Sequence, residues 1–379
     1  MSVRKVLLVA GEASGDLHGA TLVHAIHEID PSIAVSGVGG THLRAAGMEI
    51  LVDTAAVATM GFVEIIGSAG RFWHMYRLLV SFIQEQKPAL LILIDYPEFN
   101  LLLAKRAKAL GVPVFYYISP QVWAWRRGRV RKIARRVDRL ATVFPFEAEL
   151  YAKASPGNHG RPLAEFVGHP LLDMARPTRT RAETRSRYGL DAQRPLLAIL
   201  PGSRRKEIRY LLEPAIVAAR RLRQEGWQAA IALASTLRHT DLQEALDGGS
   251  VELPIVEDDT YNLVHAADAV VVASGTATLE TALLERPMVI MYRVSPLTYA
   301  IARRLVNVAH IGLPNIVLDR GVFPELIQND VSPENIAAAV RDVYARRHEL
   351  AASLAEVRGR LGEPGAARRA ARLAVELMP

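Results

Sequence analysis

The chain has 379 residues, half of them apolar, with 46 Lys and Arg against 39 Asp and Glu, a formal net charge of +7 and no cysteine. That length exceeds what a single hydrophobic core usually supports, so two domains are expected. The lack of cysteine excludes disulfides, thiolate nucleophiles and Cys-type zinc sites, and fits a reducing, cytoplasmic setting.

In chain order, MSVRKVLLVAGEASGD opens with one short apolar run that breaks at Gly11 and Glu12. It reads as a first strand, Val3 to Ala10, and not as a secretory leader. A helix follows with Leu22, Ile26 and Ile29 on one face, then a strand from Ile33 to Val38. The βαβ spacing resumes with a strand over Ala89 to Asp95, a helix over Asn100 to Leu110 and a strand over Val114 to Ile118, which predicts a parallel sheet covered by helices on both faces. Between Pro170 and Pro195 the apolar periodicity fades into the polar run Arg176 to Arg181, read here as a linker. A second series follows: strand Leu196 to Leu200, helix Glu207 to Gln224, strand Ala229 to Ala234, strand Asp268 to Ala273, helix Thr276 to Leu284 and strand Met288 to Tyr292. Pro333 to Pro379 is helical, with a break at Gly362 and Pro364. The expected division is residues 1–175 and 176–350 as two Rossmann-like domains, and 351–379 as a helical segment packing back on the first. The most apolar runs, Leu90 to Ile94 and Ala269 to Ala273, are far shorter than the roughly 18 residues that a membrane-spanning helix needs.

Two such domains imply a cleft, with ligands outside the carboxyl ends of the strands. The first strand ends in Gly11-Glu12-Ala13-Ser14-Gly15-Asp16, which is not a GxGxxG fingerprint, and the next ends in Gly37 to Gly40 with no acid to read a ribose. Gly11 and Gly19 serve tight strand-to-helix turns as well as they serve a ligand; Glu12 and Ser14 are the better functional candidates. The wholly apolar strand after Pro88 ends on Asp95. A carboxylate there either caps the following helix or acts as a general base, and its strand-end position favours the base. Desolvation would raise its pKa, whereas a nearby Arg or helix start would oppose that shift.

In the second half, Leu200-Pro201-Gly202-Ser203-Arg204 joins a glycine, a hydroxyl and a guanidinium at a strand end, which is phosphate-recognition chemistry. Ala273-Ser274-Gly275-Thr276-Ala277-Thr278-Leu279-Glu280 runs from a buried-type strand through a glycine turn into a helix whose free N–H groups suit a diphosphate, with Glu280 placed for ribose hydroxyls. Two such motifs in one domain predict a nucleotide-diphosphate site. No GxxxxGK[ST], HExxH or DxD-type triplet occurs, and His159, His169, His239, His265 and His310 lack ligand spacing. The expectation is therefore no metal and no organic cofactor. The segment Arg126 to Arg139 holds eight cations (Arg126, Arg127, Arg129, Arg131, Lys132, Arg135, Arg136 and Arg139), which suit an anionic surface or a solvated helix face equally.

The stretches AGEASGD (10–16), MGFVEIIG (60–67), IDYPEFN (94–100), SPQVWAW (119–125), PFE (145–147), VGHPL (167–171), LPGSR (200–204), ASGTATLE (273–280), MVIMYR (288–293), LPN (313–315) and PELIQ (324–328) together resemble the lipid-A-disaccharide synthase family, in order and over almost the full length. The resemblance implies an α/β glycosyltransferase-B fold of two Rossmann-like domains, with UDP-2,3-diacylglucosamine as donor and 2,3-diacylglucosamine 1-phosphate (lipid X) as acceptor. The resemblance makes Asp95 the base, Arg204 and Asn315 functionally important positions and Glu280 a nucleotide contact; with Ser203, Gly275 and Thr276 of the two glycine loops, the last three are the expected donor contacts. Acceptor contacts fall on Glu12, Ser14, Met60, Gly61, Glu64 and Asn100. It further implies peripheral association with the inner membrane of a Gram-negative cell and, in some members, a homodimer. One departure is His18, where the family more often has an apolar residue, and this bears on acyl-chain preference.

The residues add independent support, because acylated substrates need apolar docking surface and Met60 to Ile83 is rich in large apolar side chains. Phe62, Phe72, Trp73, Met75 and Leu79, with Arg126, Arg127 and Arg129, are the expected contacts to an anionic membrane. Two rivals were weighed. A UDP-N-acetylglucosamine 2-epimerase would need no apolar patch. A non-enzymatic nucleic-acid or membrane-binding module would give no reason for two glycine loops with Asp95, Arg204 and Glu280, so no nucleic-acid partner is expected.

Overall fold

The computed structural model describes residues 4–53, 65–120, 122–125, 128–155, 157, 161–246, 248–249, 252–305 and 308–379. They form two compact units, Met1–Pro170 with Gly362–Pro379, and Leu171–Leu361.

The first unit is a parallel sheet of β1 (Lys5–Ala10), β2 (Ala34–Gly39), β3 (Glu49–Asp53), β4 (Leu90–Ile94), β5 (Val114–Tyr117), β6 (Arg139–Thr142) and β7 (Ala164–Phe166), in the order β3-β2-β1-β4-β5-β6-β7. Val6 to Ala10 and Leu90 to Ile94 are wholly buried, as central strands covered on both faces must be. Side chains alternate between two cores. Leu8, Ile92 and Ile94 meet Leu22, Val23 and Ile26 of the helix Ala13–Ile29 and Leu373 of the terminal helix Ala366–Val375. Leu7, Leu91 and Leu93 meet Phe99 and Leu103 of the helix Pro97–Ala109 and Met75, Leu79 and Ile83 of the helix Ile65–Gln86.

The second unit repeats the plan with β8 (Leu196–Leu200), β9 (Gln228–Leu233), β10 (Ile255–Glu257), β11 (Ala269–Ala273), β12 (Met288–Tyr292) and β13 (Glu325–Ile327), ordered β10-β9-β8-β11-β12-β13 and parallel throughout.

Two expectations about organisation change. The polar stretch read as a linker is folded onto the second unit. Asn262 Oδ1 accepts from the backbone N–H groups of Thr178 and Arg179, both at 2.9 Å. Buried Arg185 donates to the carbonyls of Asp191, Ala192, Arg194 and Ala266 and pairs with Asp268 at 2.7 Å. Its polarity serves this clasp, not solvation. The terminal segment is also divided: the helix Arg347–Arg360 buries Leu350, Leu354 and Val357 in the second unit, and only from Gly362 does the chain belong to the first. There Arg139 forks to Glu165 and Glu376, and Arg369 Nε donates to the Val167 carbonyl at 2.8 Å, tying the terminal helix to the strand ends.

Arg185→Met would take one of two guanidinium partners from Asp268, which keeps Arg181 and the Leu196 N–H, and would leave the carbonyls of Ala192 and Ala266 without their donor. The expected loss is about 1–3 kcal/mol of stability, the usual cost of leaving buried acceptors without a donor. Urea denaturation of parent and variant measures it.

Candidate functional site

In each sheet the strand order reverses at one place, and there the loops leaving two neighbouring strands diverge to opposite faces. In the first unit the reversal lies between β1 and β4, whose last residues, Ala10 and Ile94, pair directly. The loops that open there carry Gly11-Glu12 and Asp95-Tyr96. Sequence reading placed its candidate acids at these two positions.

Asp95 and Tyr96 are both left-handed, with φ of 49° and 43°. Two consecutive non-glycine residues in that region mark a strained turn held by its surroundings. Asn100 Nδ2 donates to the Asp95 carbonyl at 2.7 Å and to the Ile94 carbonyl at 3.1 Å, and the Tyr116 hydroxyl donates to the same Asp95 carbonyl. The Tyr96 ring stacks on Phe99 at 5.5 Å and covers Gly11, where any Cβ would come within 2.6 Å of it. Glycine is thus demanded at position 11 by the ring above it.

The Asp95 carboxyl lies against the first turn of the helix Ala13–Ile29: a Cβ on Gly15 would sit 3.7 Å from Oδ2. Burial, reinforced by the nearby charge of Glu12, pushes its pKa up to about 7. Glu12 and Ser14 are exposed at the start of that helix. Asp16 in the same motif plays another part, accepting from the N–H groups of Gly40, His42 and Leu43 and so capping the helix Thr41–Ala45. Asn100, expected to touch the acceptor, is wholly buried and uses its amide on the Asp95 turn. Beyond β6, fully buried Glu147 accepts from Trp123 Nε1 and from the N–H groups of Val143 and Phe144, and burial pushes it up to about 8. Burial likewise lowers His18 to about 4 and His169 to about 3, so both are neutral near pH 7.

In the second unit the reversal lies between β8 and β11. After β8, Ser203 N–H donates to Glu207 at 2.9 Å, and Arg204 is 77 % exposed, only 3.6 Å from Glu207 and able to swing onto a ligand. After β11, Gly275 has φ 150° and open space where a Cβ would be, and the helix Thr276–Leu283 begins without a side-chain cap. The Thr278 N–H turns back to the Gly275 carbonyl at 3.1 Å, and no side chain caps the helix start. Glu280 is held by the Tyr261 hydroxyl at 2.9 Å and its pKa is raised by burial. Asn315, expected at the nucleotide, is wholly buried: it bonds the backbone of Val322 and Phe323 and Glu325 Oε1. Glu325 in turn accepts from the N–H groups of Ile311 and Gly312, and Ser274 Oγ donates to the Ile311 carbonyl. Asn315 therefore braces the loop beside β11 instead of facing it.

The expected membrane contacts separate. Met75 and Leu79 are core residues, 3 % and 0 % exposed, because the face of their helix that carries them packs on the sheet; neither is available to a bilayer. Phe72 is packed edge-on against Phe99, whereas Trp73 is 49 % exposed. Arg129 forms a two-pronged pair with Glu98 at 2.7 and 2.9 Å. Arg136 donates to the Leu101 carbonyl and Arg139 is buried, which leaves Arg131, Lys132 and Arg135 exposed in the basic segment. Met60, Gly61, Phe62, Glu64, Arg126 and Arg127 lie outside the described residues. Among the described residues no three His, Asp or Glu converge to hold a metal ion, and no helix is long and apolar enough to cross a membrane. Sequence reading missed Tyr116, Tyr261, Glu207 and Glu325. The only signal for Tyr116 was its place near the tip of a strand.

Two doubly wound units with polar loops at each switch point define a protein of the glycosyltransferase-B class. The fold matches the Staphylococcus aureus MnaA–UDP co-structure (TM-score 0.66, 14 % identity, 97 % of this chain and 94 % of that one) and CalG4, the calicheamicin glycosyltransferase (TM-score 0.63, 14 % identity, 100 % and 98 %). A lipid-A-disaccharide synthetase family model matches residues 6–359, and the lipid-A-disaccharide synthase of Geobacter metallireducens is 46 % identical over 380 residues, covering 99 % of this chain and 97 % of the relative. The chain belongs to the lipid-A-disaccharide synthase family and is a UDP-sugar glycosyltransferase of lipid A synthesis.

The raised pKa of Asp95 has a consequence for stability. Between about 4 and about 7 the folded chain holds a proton on Asp95 that the unfolded chain, with its ordinary value of 3.8, has released, so this group destabilises the fold as pH rises through 7. Asp95→Asn should melt at a higher temperature than the parent at pH 8, with the difference shrinking through pH 7 and gone below about pH 4. Thermal unfolding of both proteins across that range tests it.

Proposed function

We propose that the enzyme transfers 2,3-diacylglucosamine from UDP-2,3-diacylglucosamine to the 6-hydroxyl of 2,3-diacylglucosamine 1-phosphate, giving the β-1,6-linked disaccharide 1-phosphate and UDP with inversion. The observation that carries the reading is Asp95, a carboxyl group fixed at a switch point with its pKa brought to about 7. A neutral primary alcohol is a poor nucleophile; a base that titrates near the working pH removes its proton without itself being too weak. Asp95 takes the hydroxyl proton as the oxygen attacks the anomeric carbon, the bond from that carbon to the diphosphate oxygen breaks, and UDP leaves with the electron pair. Arg204 and the first amides of the helix Thr276–Leu283 meet the charge that develops on the diphosphate, and Glu280, steadied by Tyr261, takes the ribose hydroxyls. Glu12 and Ser14, exposed beside Asp95, are the acceptor contacts this reading retains.

With UDP release followed from the two acylated substrates, Asp95→Asn should lose about a hundred- to ten-thousand-fold in turnover while still binding UDP, the usual contribution of a positioned base. Turnover within a few-fold of the parent would move the base to Glu12 or Glu98. Arg204→Ala should lose turnover and UDP affinity together, and EDTA should leave the parent active.

Peripheral attachment to the inner membrane through the first unit follows from the same substrates, which reside in lipid. Exposed Trp73 and exposed Arg131, Lys132 and Arg135 support it. In flotation with anionic vesicles, salt should release part of the protein and Trp73→Ser should release more at every ionic strength, since screening weakens charge attraction but not apolar insertion. Absence of binding at any salt concentration would remove the attachment.

A further inference from the structure

A base needs a direction as well as a pKa, and in this chain the direction of the Asp95 carboxylate is set by its backbone. Asp95 and Tyr96 occupy the left-handed region, which residues bearing a Cβ leave when nothing holds them. Two wholly buried side chains from different elements converge on one atom of that turn. Tyr116, in β5, donates its hydroxyl proton to the Asp95 carbonyl, and Asn100, in the first turns of the helix Pro97–Ala109, donates to the same carbonyl at 2.7 Å. Asn100 also reaches the Ile94 carbonyl at 3.1 Å, so it grips the peptide groups on both sides of Asp95. This arrangement leaves Asn100 Oδ1 buried without a partner.

We propose that Tyr116 and Asn100 are positioning residues for the transfer reaction: by clamping the Asp95 carbonyl they hold the left-handed turn that aims the carboxylate at the acceptor hydroxyl. This rests on Asp95 being the base. If either donor is removed, the turn relaxes towards an ordinary backbone conformation and the carboxylate leaves its place against Gly15. Burial keeps the Tyr116 hydroxyl protonated far above neutrality, so the clamp does not open with pH in the working range.

Tyr116→Phe removes one oxygen and keeps the ring that fills the core. Because a misplacement of about 1 Å can lower a rate by about a hundredfold, kcat should fall at least ~10-fold with KM for both sugars within ~2-fold. The acid limb of the kcat–pH profile should also move to lower pH, since the carboxylate exchanges its buried place for solvent. Asn100→Ala should show the same pattern. Per folded molecule, a kcat and pH profile like the parent's in Tyr116→Phe would overturn the clamp, including the case in which activity is lost only in step with folded protein. Asp95→Asn, assayed alongside, separates the two levels. An active Asp95→Asn enzyme refutes the base, and with it the purpose of the clamp. An inactive one with an unperturbed Tyr116→Phe refutes the clamp alone.

Discussion

Strands that are buried on both faces admit no uncompensated polar side chain along their length, and this constraint shapes the molecule. Val6 to Ala10, Leu90 to Ile94, Leu196 to Leu197 and Val270 to Val272 are all dry. Every group that could do chemistry is therefore displaced to the strand tips. Parallel connectivity then puts the tips that matter at the same end of each sheet, and the reversal of strand order opens a space at β1/β4 and at β8/β11. Asp95 is the first residue past such a dry strand. Its burial is inherited from β4, and its pKa follows from that burial.

Of the effects that act on that carboxyl group, desolvation wins. The start of the helix Ala13–Ile29 lies beside it and favours negative charge, but a helix terminus contributes roughly 0.3–1 kcal/mol, less than one pKa unit. Burial works the other way, and Glu12 adds to it instead of opposing it. Among the described residues no guanidinium contributes to the shift. Moving an arginine into this loop would lower the carboxyl's proton affinity and undo what suits it to the proposed role of base.

Much of this organisation is written in local pattern. The limits of Leu196–Leu200 and Met288–Tyr292 agree with the sequence reading to the residue, because a wholly apolar run bounded by proline or charge has few alternatives. Asp95, Glu12, Arg204 and Gly275 could be found because each interrupts such a run where it meets a turn. What local pattern does not contain is the partner across space. Asn100 and Asn315 look like ligands because they are polar residues in unusual motifs, yet each spends its amide N–H groups on carbonyls that the folded backbone turns toward it, Asn100 on those of Ile94 and Asp95 and Asn315 on that of Phe323. Arg139 and Arg185 count as surface charge until the fold supplies Glu165, Glu376 and Asp268. Met75 and Leu79 share a helix with exposed Trp73, and only the sheet beneath decides which stripe faces the core.

The two switch points, identical in topology, are opposite in electrostatic character, and the transfer chemistry asks for that opposition. At β1/β4 the converging groups are carboxyls, Glu12 and Asp95, in a place where burial raises proton affinity; this suits a reaction component that must give up a proton. At β8/β11 the exposed guanidinium of Arg204 and the uncapped helix start at Thr276 stand with the carboxyls of Glu207 and Glu280, and it is the first two that suit a component departing with negative charge. Exchanging the two sets would fail on physical grounds. A guanidinium beside the acceptor hydroxyl would depress the carboxylate's basicity, and a carboxylate at the helix start would repel the diphosphate. A duplicated architecture thus supplies two equivalent openings, and in the function proposed here a handful of strand-tip residues fits one of them for a base and the other for an anion.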